Sequence, residues 1–168
     1  MDHFRIRQGT TAWFHMVGRL MTRAADAACL PTSLNISFVE RYTDGSEMAD
    51  GLVQGIRFDI ADGQPSFRVG AAPDETADVV VEITADAARR LNTLRTADPA
   101  YSAARQNGLE GGEMRVTGDP LPARRLARGC SRRDRRADRL ISFVGRVNTP
   151  HKAACRLSAV LRTLSGAG

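Results

Sequence analysis

Lysine is nearly missing from this chain: Lys152 stands alone among 24 basic side chains, the rest being arginine. That bias marks a GC-rich bacterial genome, where arginine codons are common, and carries no function of its own. Cysteine is scarce too. Cys29, Cys130 and Cys155 are odd in number and far apart, which excludes a disulfide framework or a zinc ribbon and leaves ordinary thiols. His3, His15 and His151 fall at no metal-ligand spacing, so no metal is expected. No apolar run approaches the ~20 residues of a membrane-spanning helix. Near the N-terminus Met16, Arg19 and Arg23 break up any signal-peptide core, which predicts a cytoplasmic protein.

Catalytic signatures are missing as well. The chain has no Gly-x-Ser-x-Gly elbow, no Walker loop, no Gly-x-Gly-x-x-Gly after a strand and no His-Glu-x-x-His. The glycine-rich stretch from Gly108 to Gly112 lacks a lysine and precedes a strand, so it reads as a turn ending a helix at Gly108. The acidic pair Asp74-Glu75 reads as solvated, with no burial to prepare it for acid–base work. A non-enzymatic protein without a cofactor is the expectation.

What is present is a run of short alternating segments. With 168 residues, 42% of them hydrophobic and 26% charged, the chain has the make-up of a soluble domain able to bury a core. Leu34-Asn35-Ile36-Ser37-Phe38 alternates apolar with small polar residues, and Ile56-Arg57-Phe58-Asp59-Ile60 repeats the pattern with charges facing out. Asp62-Gly63 suits a tight hairpin leading into the returning strand Phe67-Arg68-Val69. Val79-Val80-Val81-Glu82-Ile83 is β-branched enough for an inner strand. Thr84 then caps a helix carrying Leu91 and Leu94 on one face, and Pro99 opens a second one through Tyr101 and Ala104. Gly112 to Gly118 alternates again. Ahead of all this, Phe14, Val17, Met21 and Ala25 recur at spacings of three and four, which predicts a helix over 10–28 closed off by Pro31. These elements predict an α+β domain, with a mainly antiparallel five-stranded sheet covered by helices on one face.

The meander Ile56–Val69, the junction Ala77-Asp78-Val79-Val80-Val81-Glu82-Ile83-Thr84-Ala85-Asp86 and the stretch Leu109-Glu110-Gly111-Gly112-Glu113-Met114-Arg115-Val116-Thr117-Gly118-Asp119 together resemble the sterol-carrier-protein-2-like family. Their order and spacing cover about half the chain, and each motif alone is short and degenerate. The resemblance implies binding or transport of an apolar molecule (fatty acyl, phospholipid or sterol-like) in an internal cavity. On that plan Ile36, Phe38, Ile56, Phe58, Val81, Ile83 and Met114 line the floor, and Leu91, Leu94, Tyr101 and Leu109 the cover. Alternation alone fits a solid core equally well.

Charge divides the chain. Residues 1–118 hold twelve Arg against sixteen Asp and Glu, a net of −4, whereas 119–168 hold twelve Lys and Arg against three Asp, a net of +9. We therefore divide the chain into a body over 1–118 and a basic, mainly helical segment over 119–168. The segment carries Arg124, Arg125, Arg128, Arg132, Arg133, Arg135, Arg136 and Arg139, where the family pattern has apolar and small residues. The run fits a solvated connection, an anionic lipid surface or nucleic acid. Aromatic side chains for base stacking are absent from it, which places lipid ahead of nucleic acid. Beyond it, Leu140 to Val144 is apolar, and Pro150 can start a helix with a stripe of Ala153, Leu157, Val160, Leu161 and Leu164 that packs on the domain, closes over a cavity or pairs two chains. The alternative to a carrier is thus an interaction module with a filled core, its arginine run binding nucleic acid, an anionic membrane or an acidic protein. Oligomeric state is open.

Overall fold

The computed structural model describes residues 6–28, 30–95 and 97–118. The arginine run, the stripe after Pro150, His3, His151 and all three cysteines lie outside the described residues. Within them the order is helix α1 (Thr11–Ala27), β1 (Ile36–Tyr42), β2 (Val53–Ala61), β3 (Gln64–Ala71), β4 (Val79–Ile83), α2 (Ala85–Thr93), α3 (Pro99–Glu110) and β5 (Met114–Gly118). Among the described residues no helix is long and apolar enough to cross a membrane.

The strands form one sheet in the order β3-β2-β1-β4-β5. Every pairing is antiparallel except β1 with β4, so the expected mainly antiparallel sheet is a mixed one with a single parallel seam. Asp62 and Gly63 both take positive φ at the β2–β3 hairpin, as that turn demands. Leu34 and Asn35, expected in the first strand, instead serve this hairpin. The Leu34 carbonyl accepts from the Gly63 N–H, and Asn35 Oδ1 accepts from the Asp62 N–H.

Period two then sorts the side chains. One face presents Phe38 and Tyr42, Ile56, Phe58 and Ile60, and Val79, Val81 and Ile83 to a core shared with Phe14, Val17, Met21 and Ala25 of α1 and Ala87, Ala88 and Leu91 of α2. The stripe read from the sequence of α1 is thus the buried one. Thr10 Oγ1 accepts from the Trp13 N–H and Thr84 Oγ1 from the Ala87 N–H, each satisfying an orphan donor of the first turn. The helices α1 and α2 therefore pack on one face, as anticipated.

Two helix ends depart from expectation. Leu94 is not on the α2 stripe with Leu91: it is the residue after the helix, extended and half-buried. Gly108 does not end α3, because it is buried there with its Cα side turned to Met114, and the helix runs on to Glu110 with Gly111 as its cap.

Candidate functional site

Between α1 and the sheet lies a small hollow lined by Trp13, Phe14, Val17, Met21, Phe38, Glu40 and Ile56. It leaves about 10 Å3 for the centre of a water-sized sphere, room for about one water molecule. Six of the seven lining residues are apolar or aromatic, and the seventh is a carboxylate. Glu40 sits between Phe38 and Tyr42 in the alternation of β1, opposite Ile56 of β2 and Val81 of β4. It is 5% exposed. Next to it on the same face, the Tyr42 ring meets Phe14 edge-on at 5.5 Å, and its hydroxyl accepts from Gln8 Nε2 at 3.3 Å. Burial pushes the Tyr42 phenol above its usual pKa, against the pull of the Gln8 bond.

The opposite face is polar and braced. Residues 72–78 carry the chain from β3 past β2 and β1 to β4, over a small apolar patch of Val39, Ala71, Val80 and Ala77. Arg41 Nη1 donates to the carbonyls of Ala72 and Glu75, and its Nη2 pairs with Glu82 at 2.9 Å. The Glu75 carboxylate accepts from the Ala72 N–H at 2.9 Å, from Arg57 at 3.1 Å and from Arg68. Of the acidic pair Asp74-Glu75, expected to be solvated, Asp74 is exposed but Glu75 is mostly buried and gathers three donors. Asp78 accepts from both the N–H and the hydroxyl of Ser37 at 2.7 Å. These groups hold the crossing segment to the sheet, and none of them faces the hollow.

The expected cavity-lining residues fall into two groups. Phe38, Ile56, Phe58, Val81, Ile83 and Leu91 are buried together in the shared core, with Ile36, Tyr101 and Met114 partly buried against it. Leu94 and Leu109 are half-buried outside that cluster. Of the eleven, only Phe38 and Ile56 border the hollow. The rest of its lining went unassigned in the sequence, although the stripe Phe14, Val17, Met21 was legible as a buried helix face. Extending the alternation of β1 two residues past Phe38 would have found Glu40. Among the described residues no three His, Cys, Asp or Glu side chains come together to hold a metal ion.

No protein-family profile matches this chain. No curated protein matches it either. Among solved structures it is similar to sterol carrier protein 2, at 13% identity over 92% of this chain and 96% of that one, with a TM-score of 0.42. A protein described as UbiJ-SCP2, a ubiquinone synthesis protein, is 15% identical over 67% of this chain and 80% of its own, with a TM-score of 0.35. The stereoselective inverting sec-alkylsulfatase Pisa1 from Pseudomonas sp. is 21% identical over 57% of this chain, with a TM-score of 0.33. The match spans only 13% of that enzyme's length.

Proposed function

We propose that this protein binds and carries an apolar molecule, of the fatty acyl, phospholipid or sterol-like kind, between its helices and its sheet, without catalysing a reaction. One observation carries the reading: the apolar face of the sheet meets α1 at a hollow lined by six apolar or aromatic side chains. The sequence resemblance to sterol carriers adds to it. A ligand pocket takes about 300 Å3 or more, whereas the hollow has about 10 Å3. Loading therefore requires the contact between α1 and the sheet to open. A cytoplasmic, bacterial setting goes with this reading and rests on the sequence.

The same tightness favours a second reading, in which the core is filled and the protein is an interaction module acting through its basic segment. Native mass spectrometry of the full chain, followed by denaturing extraction, separates the two. A carrier is expected to release a co-purified lipid-like mass and to gain melting temperature with a matched ligand. A clean apo mass and an unmoved melting temperature across an acyl, phospholipid and sterol panel would overturn the carrier reading.

A further inference from the structure

Two kinds of contact hold α1 to the sheet, and they divide along its length. At the N-terminal end the contacts are directional. The Gln54 side chain of β2 donates from Nε2 to the Gly9 carbonyl at 2.7 Å, while its Oε1 accepts from the Ser46 N–H at 3.0 Å. Gln8 donates to the Tyr42 hydroxyl at 3.3 Å, and the Phe14 ring stands edge-on to Tyr42. Gly9 itself is buried at a φ of 83°, a left-handed backbone that glycine adopts without strain.

Past Phe14 the character changes. Val17, Met21 and Ala25 are buried in the core, and His15 and Gly18 lie against the Phe67 ring of β3, with no hydrogen bond in the set. Among the described residues, none pairs with the side chains of Arg19, Thr22, Arg23 or Asp26 by hydrogen bond or ion pair. One contact is unfavourable: Thr22 Oγ1 is buried with no partner, a hydroxyl removed from water without compensation while the helix is seated. Beyond α1 the described chain is next hydrogen-bonded to the β2–β3 hairpin at Leu34 and Asn35.

We propose that α1 is a hinged lid: it pivots at Gly9, its N-terminal end kept in place by Gln54 and Tyr42, and its half from Gly18 onward lifts off β3 to admit the apolar ligand. The lining of the hollow follows α1 from Trp13 to Met21. Distance from the pivot grows by about 1.5 Å per residue along a helix, so a swing about Gly9 widens the hollow most at its Met21 end. The inference rests on the carrier reading and says which end opens.

Full-length protein carrying Gly18→Cys and Phe67→Cys, with the three native cysteines replaced by serine, tests the swing. A Cβ on Gly18 lies 2.5 Å from the Phe67 Cγ, so the two Cβ atoms fall within the about 4 Å that a disulfide spans. Loading of lauryl alcohol is followed at Trp13, the single tryptophan and part of the lining, and counted by native mass spectrometry. The oxidised staple is expected to slow loading at least about tenfold and reduction to restore it, since only the opened fraction takes up ligand. Thr22→Val, which removes the orphaned hydroxyl from the closed state, should raise the melting temperature and slow loading severalfold. Equal loading with the staple oxidised and reduced, or a Thr22→Val chain that melts lower or loads at the wild-type rate, would overturn the lid and leave the carrier reading standing. No bound alcohol by mass in the wild-type and reduced chains, together with the clean apo mass described above, would overturn both. Should the double variant fail to fold, Thr22→Val in the otherwise native chain decides.

Discussion

Glu75 collects an amide and two guanidinium groups on one carboxylate, and Asp78 closes a ring of hydrogen bonds with Ser37. For Glu75, burial pulls the pKa upward, but the Ala72 amide, Arg57 and Arg68 outweigh it and hold the group below its usual value. For Asp78, the Ser37 hydroxyl and then the Ser37 amide do the same against a smaller desolvation. A depressed folded-state pKa means that the stabilisation is present above the unfolded value, near 4 for a carboxylate, and is lost as pH falls through the folded value. Melting temperature should therefore hold from neutrality down to roughly pH 5 and fall below roughly pH 4, measured by calorimetry on the full chain. Glu75→Gln should cost about 1–3 kcal/mol at pH 7, since it removes the charge from a mostly buried acceptor while leaving its donors in place. It should also flatten the acid limb. A steep acid limb unchanged in Glu75→Gln would mean that other carboxylates carry it. The sequence could not have assigned this role. Arg57 and Glu75 are 18 residues apart, and alternation says only that Arg57 leaves the core face, not what meets it on the other side.

The elements themselves were largely legible, because their signals are local. Period two marked the strands, spacings of three and four marked α1, and Thr84 and Pro99 marked the starts of α2 and α3 where the structure places them. The ends were less so, since Gly108 and Leu94 are decided by what they pack against. Which faces pack together was legible, but how closely the elements approach was not, and two glycines show why. A Cβ on Gly18 of α1 would fall 2.2 Å from the Phe67 ring of β3. Gly18→Ala should gain up to about 1 kcal/mol in helix propensity but lose about 1–3 kcal/mol to overpacking. A net loss of urea stability is expected, relieved when Phe67→Ala is added. A Cβ on Gly55 of β2 would meet the Glu40 carbonyl oxygen at 2.3 Å. That obstacle is backbone, so Gly55→Ala should destabilise more than Gly18→Ala, with no side-chain change able to rescue it. Thr84→Ala should cost about 1 kcal/mol by removing the cap on the Ala87 amide. If Gly18→Ala proved stabilising, the close approach of α1 to β3 would be looser than the geometry implies.

Across the whole molecule, the candidate site shows how far a pattern reaches. The sequence placed Phe38, Ile56, Phe58, Val81 and Ile83 on one apolar face, but whether that face holds a cavity depends on volumes left between side chains, which alternation does not encode. The hollow beneath α1 is fixed instead by helix–sheet contact, and its one carboxylate, Glu40, interrupts the apolar alternation of β1. Charge adds a second, independent lever at this scale. The body carries a net −4 and residues 119–168 a net +9, so the two readings, cargo held by apolar contact and a basic segment drawn to an anionic surface, should respond differently to salt. Burial of an apolar tail does not weaken with added salt, whereas attraction of arginines to anionic headgroups, about 1 kcal/mol per residue near the surface, is screened within a Debye length. Full-length protein is therefore expected to co-sediment with phosphatidylserine-containing vesicles at low salt and to leave them near 1 M salt, where screening reaches about 3 Å. Occupancy by lauryl alcohol, an uncharged apolar probe counted by native mass spectrometry, should not weaken through the same titration. A carrier that docks by charge and holds cargo by apolar contact separates these curves. If alcohol occupancy fell in step with vesicle binding, the two would be one event at one surface, and the hollow under α1 would not be where cargo resides.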